Sequence, residues 1–546
     1  MPASQVASPP ALNAHPGLVK PSMQDWHTIP NVRDTLPWYK DKGRLQLNFF
    51  LSIIFVGMTL NGYDGTLISG LQSFDSWRSD LGIDESGNAG ALVGLLNAAG
   101  MISGFVVGPV ICWIDETFGR KWGIRFYGYT LLIGTVLSCL AGIHGVHGLK
   151  GYAIFIVGRF IQGFGLASFL MTSLVIVQEI PHPRSRAQIA ASWDSYWILG
   201  SVVASWVNFG CSYISTSWGW RIPYLIQIPM ALYVLIAVQF VPETPRFLMG
   251  QGKEEEAFKF LVDYHGNGDP NDPLVIFEFD EMKNAIEKER AAKAKEWKVI
   301  LKSPANRHRL FLAALMTNLV VMSGSSIVYY YYTVVFSQVG INGATQQTGI
   351  YAGLSIFTWI CQIVAVYVGK HVGRKTIILS CWPLMLLAFV GLCACGGVYE
   401  KAVDGNRSAG IATVALVWIY LGTFNFANPV LYSYPAEVQT FSMRSKGLLV
   451  WNTVTQLQGV YTTFVDSVAL NKIGYKYYAV YMPLIIIQWF LVKYFMVETK
   501  GYTLEEVALA FDSRESLLGS VPVVERQPRA GEEATLSGND VKKDDK

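Results

Sequence analysis

The sequence predicts an all-α membrane protein: twelve spanning helices in two six-helix pseudo-repeats, joined by a charged helical linker. Three observations predict it. Of the 546 residues, 51% are hydrophobic and only 15% charged. The chain also contains twelve apolar runs, each near the roughly 20 residues needed to cross a hydrocarbon core. Finally, three short motifs recur in one order. "FGRKWG" around Arg120 returns as "VGRKTI" around Arg374, "EIPHPRSRA" from Glu179 as "EVQTFSMRSKG" from Glu437, and "PETPRFL" around Glu243 as "VETKGYTL" around Glu498. The offsets are 254, 258 and 255 residues. Coincidence explains one such pair, whereas a duplicated half explains all three.

Residues 1–46 are polar and proline-containing and lack the basic start, short apolar core and small-residue cleavage site of a signal peptide, so they are expected to form a disordered cytosolic tail. The N-terminal bundle, 47–241, follows with spans near 47–69, 89–113, 123–143, 151–178, 189–210 and 222–241. The segment 242–307 is charged; its stretch "EFDEMKNAIEKERAAKAKEW" has the Glu and Lys spacing of a solvated helix and no phosphate loop, metal cluster or nucleophile motif. A linker rather than a catalytic domain is expected there. The C-terminal bundle, 308–498, has spans near 308–333, 347–369, 376–397, 411–434, 447–468 and 477–497, and the polar remainder, 499–546, is a second tail.

Other classes are excluded on composition. A net charge of +3 without a basic stripe offers nothing to nucleic acid. The seven cysteines have no CxxC spacing and are expected to be small packing residues, and the eight histidines lie outside the span centres, which argues against a histidine proton relay. No cofactor is called for. The expected partners are the lipid bilayer, a small-molecule substrate and protons.

With both tails on one side, the short loops on that side carry Arg120, Lys121, Arg125, Arg184, Arg186, Lys370, Arg374, Lys375, Arg444 and Lys446. The bias is modest and agrees with a cytosolic placement. The "NRS" sequon at Asn406 falls on the other side, where glycosylation occurs.

The stretches "GYDGTLISG", "GRFIQGFG", "EIPHPRSRA", "WRIPYLIQIP", "PETPRFL", "YPAEVQTFSMRSKG" and "VETKGYTLEE" together resemble the sugar porter family of the major facilitator superfamily over about residues 45–511. "FVDSVALNKIGYKYYAVY" further resembles its fungal lactose permease-like branch. The resemblance implies the major facilitator fold around a central cavity, alternating access, a plasma-membrane location and proton-coupled sugar uptake. Carriers of non-sugar metabolites, sugar uniporters and sugar sensors are the alternatives.

Some positions depart from the family pattern. Glu116 stands where the loop between spans 2 and 3 normally has an aspartate, unless one extra residue brings Asp115 there; Lys370 stands at the equivalent position of the second half. Span 7 offers Val320, Val321 and Ser326 where the family presents two glutamines and an asparagine, and Asp194 stands where span 5 usually has a glutamine. The valines make part of the cavity drier.

Asp64 is the residue that most demands an explanation, because an acid at the centre of a spanning helix costs about 2.5 to 3.5 kcal/mol on insertion scales. The resemblance places it at the proton site of coupled members, with Arg159 as partner; the alternative is an acid that only packs. Asp194 is either a proton site or a ligand hydrogen-bonder. Gln162, Ser326, Asn425 and Gln456 are polar groups for the cavity or for bridging helices, and Tyr330, Tyr331, Trp418 and Tyr432 stack on a ring or pack. Glu116, Arg120, Glu179, Arg186, Glu243, Arg246, Arg374, Glu437, Arg444 and Glu498 are expected to form gate ion pairs in the motif-bearing loops.

Overall fold

The structure is a computed structural model that describes residues 29, 39–83, 88–143, 147–292, 303–369, 371–401, 407–439 and 444–499. The readings of Asn406, Lys370, most of the two tails and the side chain of Arg444 lie outside the described residues. Span 1 is α1 (Lys42–Leu71), followed by a short connecting helix α2 (Asp75–Asp80). Spans 2 to 5 are α3 (Ala89–Thr117), α4 (Arg120–Cys139), α5 (Leu149–Glu179) and α6 (Pro183–Cys211). Span 6 is divided into α7 (Trp218–Leu225) and α8 (Gln227–Ala237), where Pro223 and Pro229 remove two backbone donors.

The linker contributes α9 (Pro245–Gly250), α10 (Glu254–Tyr264) and α11 (Pro273–Ala292). Span 7 is divided into α12 (Pro304–Val321) and α13 (Ser325–Ser337); spans 8 to 12 are α14 (Ala344–Val368), α15 (Arg374–Lys401), α16 (Arg407–Glu437), α17 (Arg444–Ile473) and α18 (Tyr478–Phe495). Nine stretches among the described residues are long and apolar enough to cross a membrane, α17 and α18 falling in one of them. The helices α4 and α6 complete the set but carry more polar residues.

The break in span 7, unforeseen in the sequence, has a local cause. Gly324 takes a left-handed φ of 91°, and a Cβ there would lie 2.6 Å from the Phe389 ring. The carbonyl of Val320, freed by the break, is recovered by the hydroxyls of Ser323 and Ser325 at 3.3 and 3.0 Å. Elsewhere glycine brings helices together: at Gly62 on α1 and Gly200 on α6 a Cβ would collide with the backbone carbonyls of Trp197 and Thr59.

Buried apolar side chains segregate with the repeat. Leu47 to Val275 supply the two largest clusters of the first half, and Ala305 to Val497 supply the largest one of the second. The halves meet along α3 and α17 and along α6 and α14. At the face opposite the linker they are hydrogen-bonded: Gln72 Nε2 donates to the Tyr330 carbonyl at 2.9 Å, Ser467 Oγ to the Gly90 carbonyl at 2.6 Å, and Ser212 Oγ to Thr345 Oγ1 at 3.2 Å.

The linker docks on the first half through a buried charged cluster. Glu278 takes Arg186 Nη2 at 2.8 Å on one oxygen and His265 Nδ1 at 2.7 Å on the other, while His265 Nε2 faces the Ile180 carbonyl at 3.1 Å. Both imidazole nitrogens therefore face acceptors. Burial pushes the Glu278 carboxyl up, but His265, Arg186 and His182 overrule it and hold it down at about 2. Its docking contribution is thus complete above the ordinary carboxylate range and is lost as pH falls from about 4.5 toward 2. Glu278→Gln is expected to raise the rate of trypsin cleavage at Lys283 at least about tenfold at neutral pH, equivalent to a loss of about 1.4 kcal/mol of docking; an unchanged rate means the linker is held by its apolar contacts.

Candidate functional site

Asp64, in the second half of α1, has no solvent exposure, and its Oδ2 accepts from Arg159 Nη1 of α5 at 2.7 Å. Arg159 also donates to Gln162 Oε1 at 3.3 Å and lies beside Tyr224 of α7, while Gln162 Nε2 reaches Thr135 Oγ1 on α4 at 2.9 Å. Four elements of the first half thus converge on one ion pair. Either charge alone at this depth would cost several kcal/mol, so each makes the other tolerable. Asp64 Oδ1 is buried and has no hydrogen-bond partner among the described residues. Across the interface, Tyr330 of α13 approaches Arg159 closely enough to feel its charge.

A second polar node joins the halves nearer the linker face. Asp194 Oδ2 of α6 accepts from Gln362 Nε2 of α14 at 2.5 Å and from Asn428 Nδ2 of α16 at 2.8 Å. Gln362 Oε1, Asn428 Oδ1, Gln456 Oε1 and Trp451 Nε1 are buried without a protein partner among the described residues. Tyr432 packs edge-on to Trp451 at 5.7 Å, and Asn425 Nδ2 donates to Tyr329 OH at 2.7 Å, whose ring meets Trp197 at 6.2 Å. Trp418 stacks on Phe357 at 5.5 Å. Gln456 lies against Gly104 of α3, where a Cβ would come within 3.0 Å of its amide. Orphaned amides beside aromatic faces suit a ligand rich in hydroxyls.

Two residues expected in the cavity are placed elsewhere. Tyr331 is fully buried; its hydroxyl donates to the Thr463 carbonyl and accepts from Asn97 Nδ2 at 3.2 Å, tying α3, α13 and α17 together. Ser326 Oγ donates to Asp466 at 2.5 Å, in the core of the second half. Val320 also packs against that core. The break in span 7 turns these positions away from a continuous helical face. Gln362 and Asn428 went unnoticed in the sequence, although each is an amide inside an apolar run, the same signal that drew attention to Asp194.

The gate cluster shows the repeat most directly. Glu243 accepts from the backbone N–H groups of Arg120 and Lys121, both at 3.2 Å, and Glu498 accepts from those of Arg374 and Lys375 at 2.9 and 3.0 Å. Each carboxylate caps the first turn of its helix, α4 or α15, where four N–H groups lack intrahelical partners. Arg120 then pairs with Glu179 at 3.2 Å, and Arg374 with Glu437 at 3.5 Å. Thr244 and Thr499 hydroxyls donate to the same two glutamates at 2.6 and 2.8 Å. Burial raises the Glu243 carboxyl above its ordinary range, against the opposing pull of its capping bonds and of Lys121 and Arg120.

Two expectations need correction. Glu116 is exposed and contributes only a backbone carbonyl, which accepts from Gln251. Asp115 takes its place: it accepts from Thr172 Oγ1 at 2.7 Å, and its carbonyl accepts from Arg120. The loop turns one residue later than the simple count suggests. Arg186 belongs to the linker cluster rather than to this gate. Arg246 is the second residue of α9, three positions beyond Glu243.

Residues 50–511 match the sugar (and other) transporter family. The chain belongs to that family. The hexose transporter HXT10 of Saccharomyces cerevisiae is 26% identical over 478 residues, covering 85% of each protein. A low-affinity glucose transporter of Kluyveromyces lactis is 25% identical over 501 residues, covering 87% of this chain and 84% of the relative. Among solved structures, the inward open xylose transporter XylE of E. coli superposes with a TM-score of 0.69 at 20% identity, covering 85% of this chain and 99% of that one. The proton:xylose symporter XylE bound to 6-bromo-6-deoxy-D-glucose gives 0.70 at 21%, with the same coverage. The fold is therefore the twelve-helix major facilitator fold, and the chain is a multi-pass membrane transporter rather than an enzyme.

In this transporter the gate residues touch one another and not the polar nodes. Arg374→Ala is expected to slow turnover about fivefold, the effect of roughly 1 kcal/mol on the balance between two states. Equilibrium ligand affinity should stay within about threefold of wild type. Loss of binding by well-folded protein, read by calorimetry, places Arg374 at the ligand instead.

Proposed function

We propose that this transporter carries a sugar, as a hexose, disaccharide or glycoside, together with a proton by alternating access, and that it belongs to the fungal lactose permease-like branch. The observation that carries the reading is the buried Asp64–Arg159 ion pair, together with the orphaned amides of the inter-half node around Asp194. The yeast relatives named for hexose and glucose, and a structural neighbour named as a proton:xylose symporter, support the same substrate class and coupling. We place it in the plasma membrane with both termini and the linker in the cytosol, the division falling at residues 47–241 and 308–498, and Asn406 on the outer side.

In this reading, ionised Asp64 holds Arg159. A proton arriving from outside neutralises it and frees the guanidinium, and the loaded carrier then closes outside and opens inside. At about 100 mV and a two-unit pH gradient one proton supplies about 2.3 plus 2.7 kcal/mol, enough to concentrate sugar by three to four decades. Uptake of labelled lactose, cellobiose, glucose, xylose, a glucoside and a non-sugar metabolite by cells lacking their own carriers tests it. Acid-stimulated accumulation of at least one sugar is expected. Accumulation of the non-sugar metabolite alone refutes the sugar assignment, and sugar equilibration without accumulation makes it a uniporter.

A further inference from the structure

Another buried carboxylate lies in the second half, far along the chain from Asp64 and Asp194. Asp466 of α17 has no solvent exposure. Three hydroxyls converge on it: Ser326 Oγ donates to Oδ2 at 2.5 Å, while Tyr477 OH and Tyr481 OH donate to Oδ1 at 2.8 and 2.5 Å. They come from three elements, namely the head of α13 just past the Gly324 break, the 3-10 turn Gly474–Tyr477, and α18.

No Lys, Arg or His lies within ion-pair distance of Asp466 among the described residues. The other titratable groups facing it are Tyr331 and Tyr420, whose hydroxyls are committed to the carbonyls of Thr463 and Ser323. Lys472 and Lys476, the nearest cations in sequence, are exposed, and Lys476 sits over the Tyr475 ring.

This surrounding differs in kind from that of Asp64. A guanidinium favours only the ionised acid. A hydroxyl both donates and accepts, so one shell satisfies either protonation state: three donors serve the carboxylate, and one rotated hydroxyl accepts from the carboxylic acid. Such a shell does not fix a charge and lets the group titrate in place. The node is also wired to the closure between the halves. Ser326 lies in the first turn of the second segment of span 7, and five residues later Tyr331 meets Asn97 of the first half, while Ser467, next to Asp466, donates to Gly90.

We propose that Asp466 is a second proton-binding site of this transporter, filled from the face opposite the linker through Tyr477 and linked through Ser326 and Tyr331 to the contacts that close that face. A hydronium at that face gives its proton to the Tyr477 oxygen as the Tyr477 proton passes to Asp466 Oδ1, leaving water and a neutral acid. Release runs the same steps backward. The site is distinct from the Asp64 pair, and its role in transport, though not its protonation, rests on the proton-coupled reading above.

Infrared difference spectra of the purified transporter between high and low pH read the protonation without any sugar, so a negative result here leaves the sugar assignment untouched. Asp466→Asn is expected to remove one protonated-carboxyl band, with the amide envelope unchanged. Tyr481→Phe deletes one donor to the anion and is expected to raise the midpoint of that band by roughly one to two pH units, the equivalent of one hydrogen bond to a charge. The proposal is overturned if the Asp466→Asn spectrum matches wild type throughout. It is overturned equally if Asp466→Asn fails to fold and Tyr481→Phe leaves every carboxyl midpoint in place.

Discussion

Asp64→Asn is expected to abolish uphill accumulation while leaving binding and exchange of sugar intact. The substitution keeps the shape and one acceptor for Arg159 but removes the group that titrates. The variant is therefore locked as the protonated carrier, which cycles loaded and cannot use a proton gradient. The whole coupled gain is at stake, up to about 5 kcal/mol or three to four decades of concentration at ordinary gradients. Counterflow and proton-driven accumulation measured in the same vesicles separate the outcomes. Counterflow near wild type with accumulation reduced to equilibration supports the coupling role. A purely structural acid predicts poor expression instead, because Arg159, 2.7 Å away and buried, loses its charge partner. A folded variant that still concentrates sugar moves the coupling role to Asp194 or Asp466.

How much of this was legible in the sequence depends on the reach of each signal. Span number, order and the duplicated half follow from apolar length and repeated motifs, which are local properties of the chain. The pairing of Asp64 with Arg159 was implied by the family resemblance, and cost agrees with it: two charges buried within spans have few other ways to be tolerated. Asp466 carried the same cost in the same kind of run, and only its place in a branch motif drew notice. Its partners Ser326, Tyr477 and Tyr481 are hydroxyls, and hydroxyls are too common in this chain to stand out. The break at Gly324 was hidden for a related reason. A glycine between serines reads as a small-residue packing surface until Phe389 and Tyr481, distant in sequence, close around it. Once the helix breaks there, the facing of Ser326 and Tyr331 no longer follows from helical periodicity. The displacement of Glu116 by Asp115 is a one-residue change in a loop, where period counting has no purchase.

The duplicated caps explain why the gate motifs keep their spacing although the helices between them differ. Glu243 and Glu498 each bind two backbone N–H groups, a contact that needs a carboxylate at a fixed place but makes no demand on the side chains beyond. Glycine precedes both capped turns, since a Cβ at Gly119 or Gly373 would run into the capping carboxylate. Each half therefore holds its own loops rigid at the linker face. All the inter-half hydrogen bonds described there reduce to one acceptor, Asp194.

That makes Asp194 the site of the second large effect. Asp194→Ala is expected to weaken sugar binding about ten- to a hundredfold and to widen the separation of α6 and α14 at the linker face. The carboxylate accepts from two amides across the interface at 2.5 and 2.8 Å, bonds to a charged acceptor that contribute about 1.5 to 3 kcal/mol each. Without it, Gln362 and Asn428 lose their common acceptor and their orientation toward ligand, and the halves lose their tie nearest that face. Asp194→Asn keeps an acceptor oxygen and should recover part of both effects. Calorimetric affinity measured beside the distance between spin labels on the linker ends of α6 and α14 distinguishes the contributions. A wider separation with unchanged affinity reduces Asp194 to a gate. Weaker binding with an unchanged separation makes it a ligand contact alone. If neither quantity moves, the node between the halves carries no free energy of its own, and the amides of Gln362 and Asn428 must be held by the packing around them.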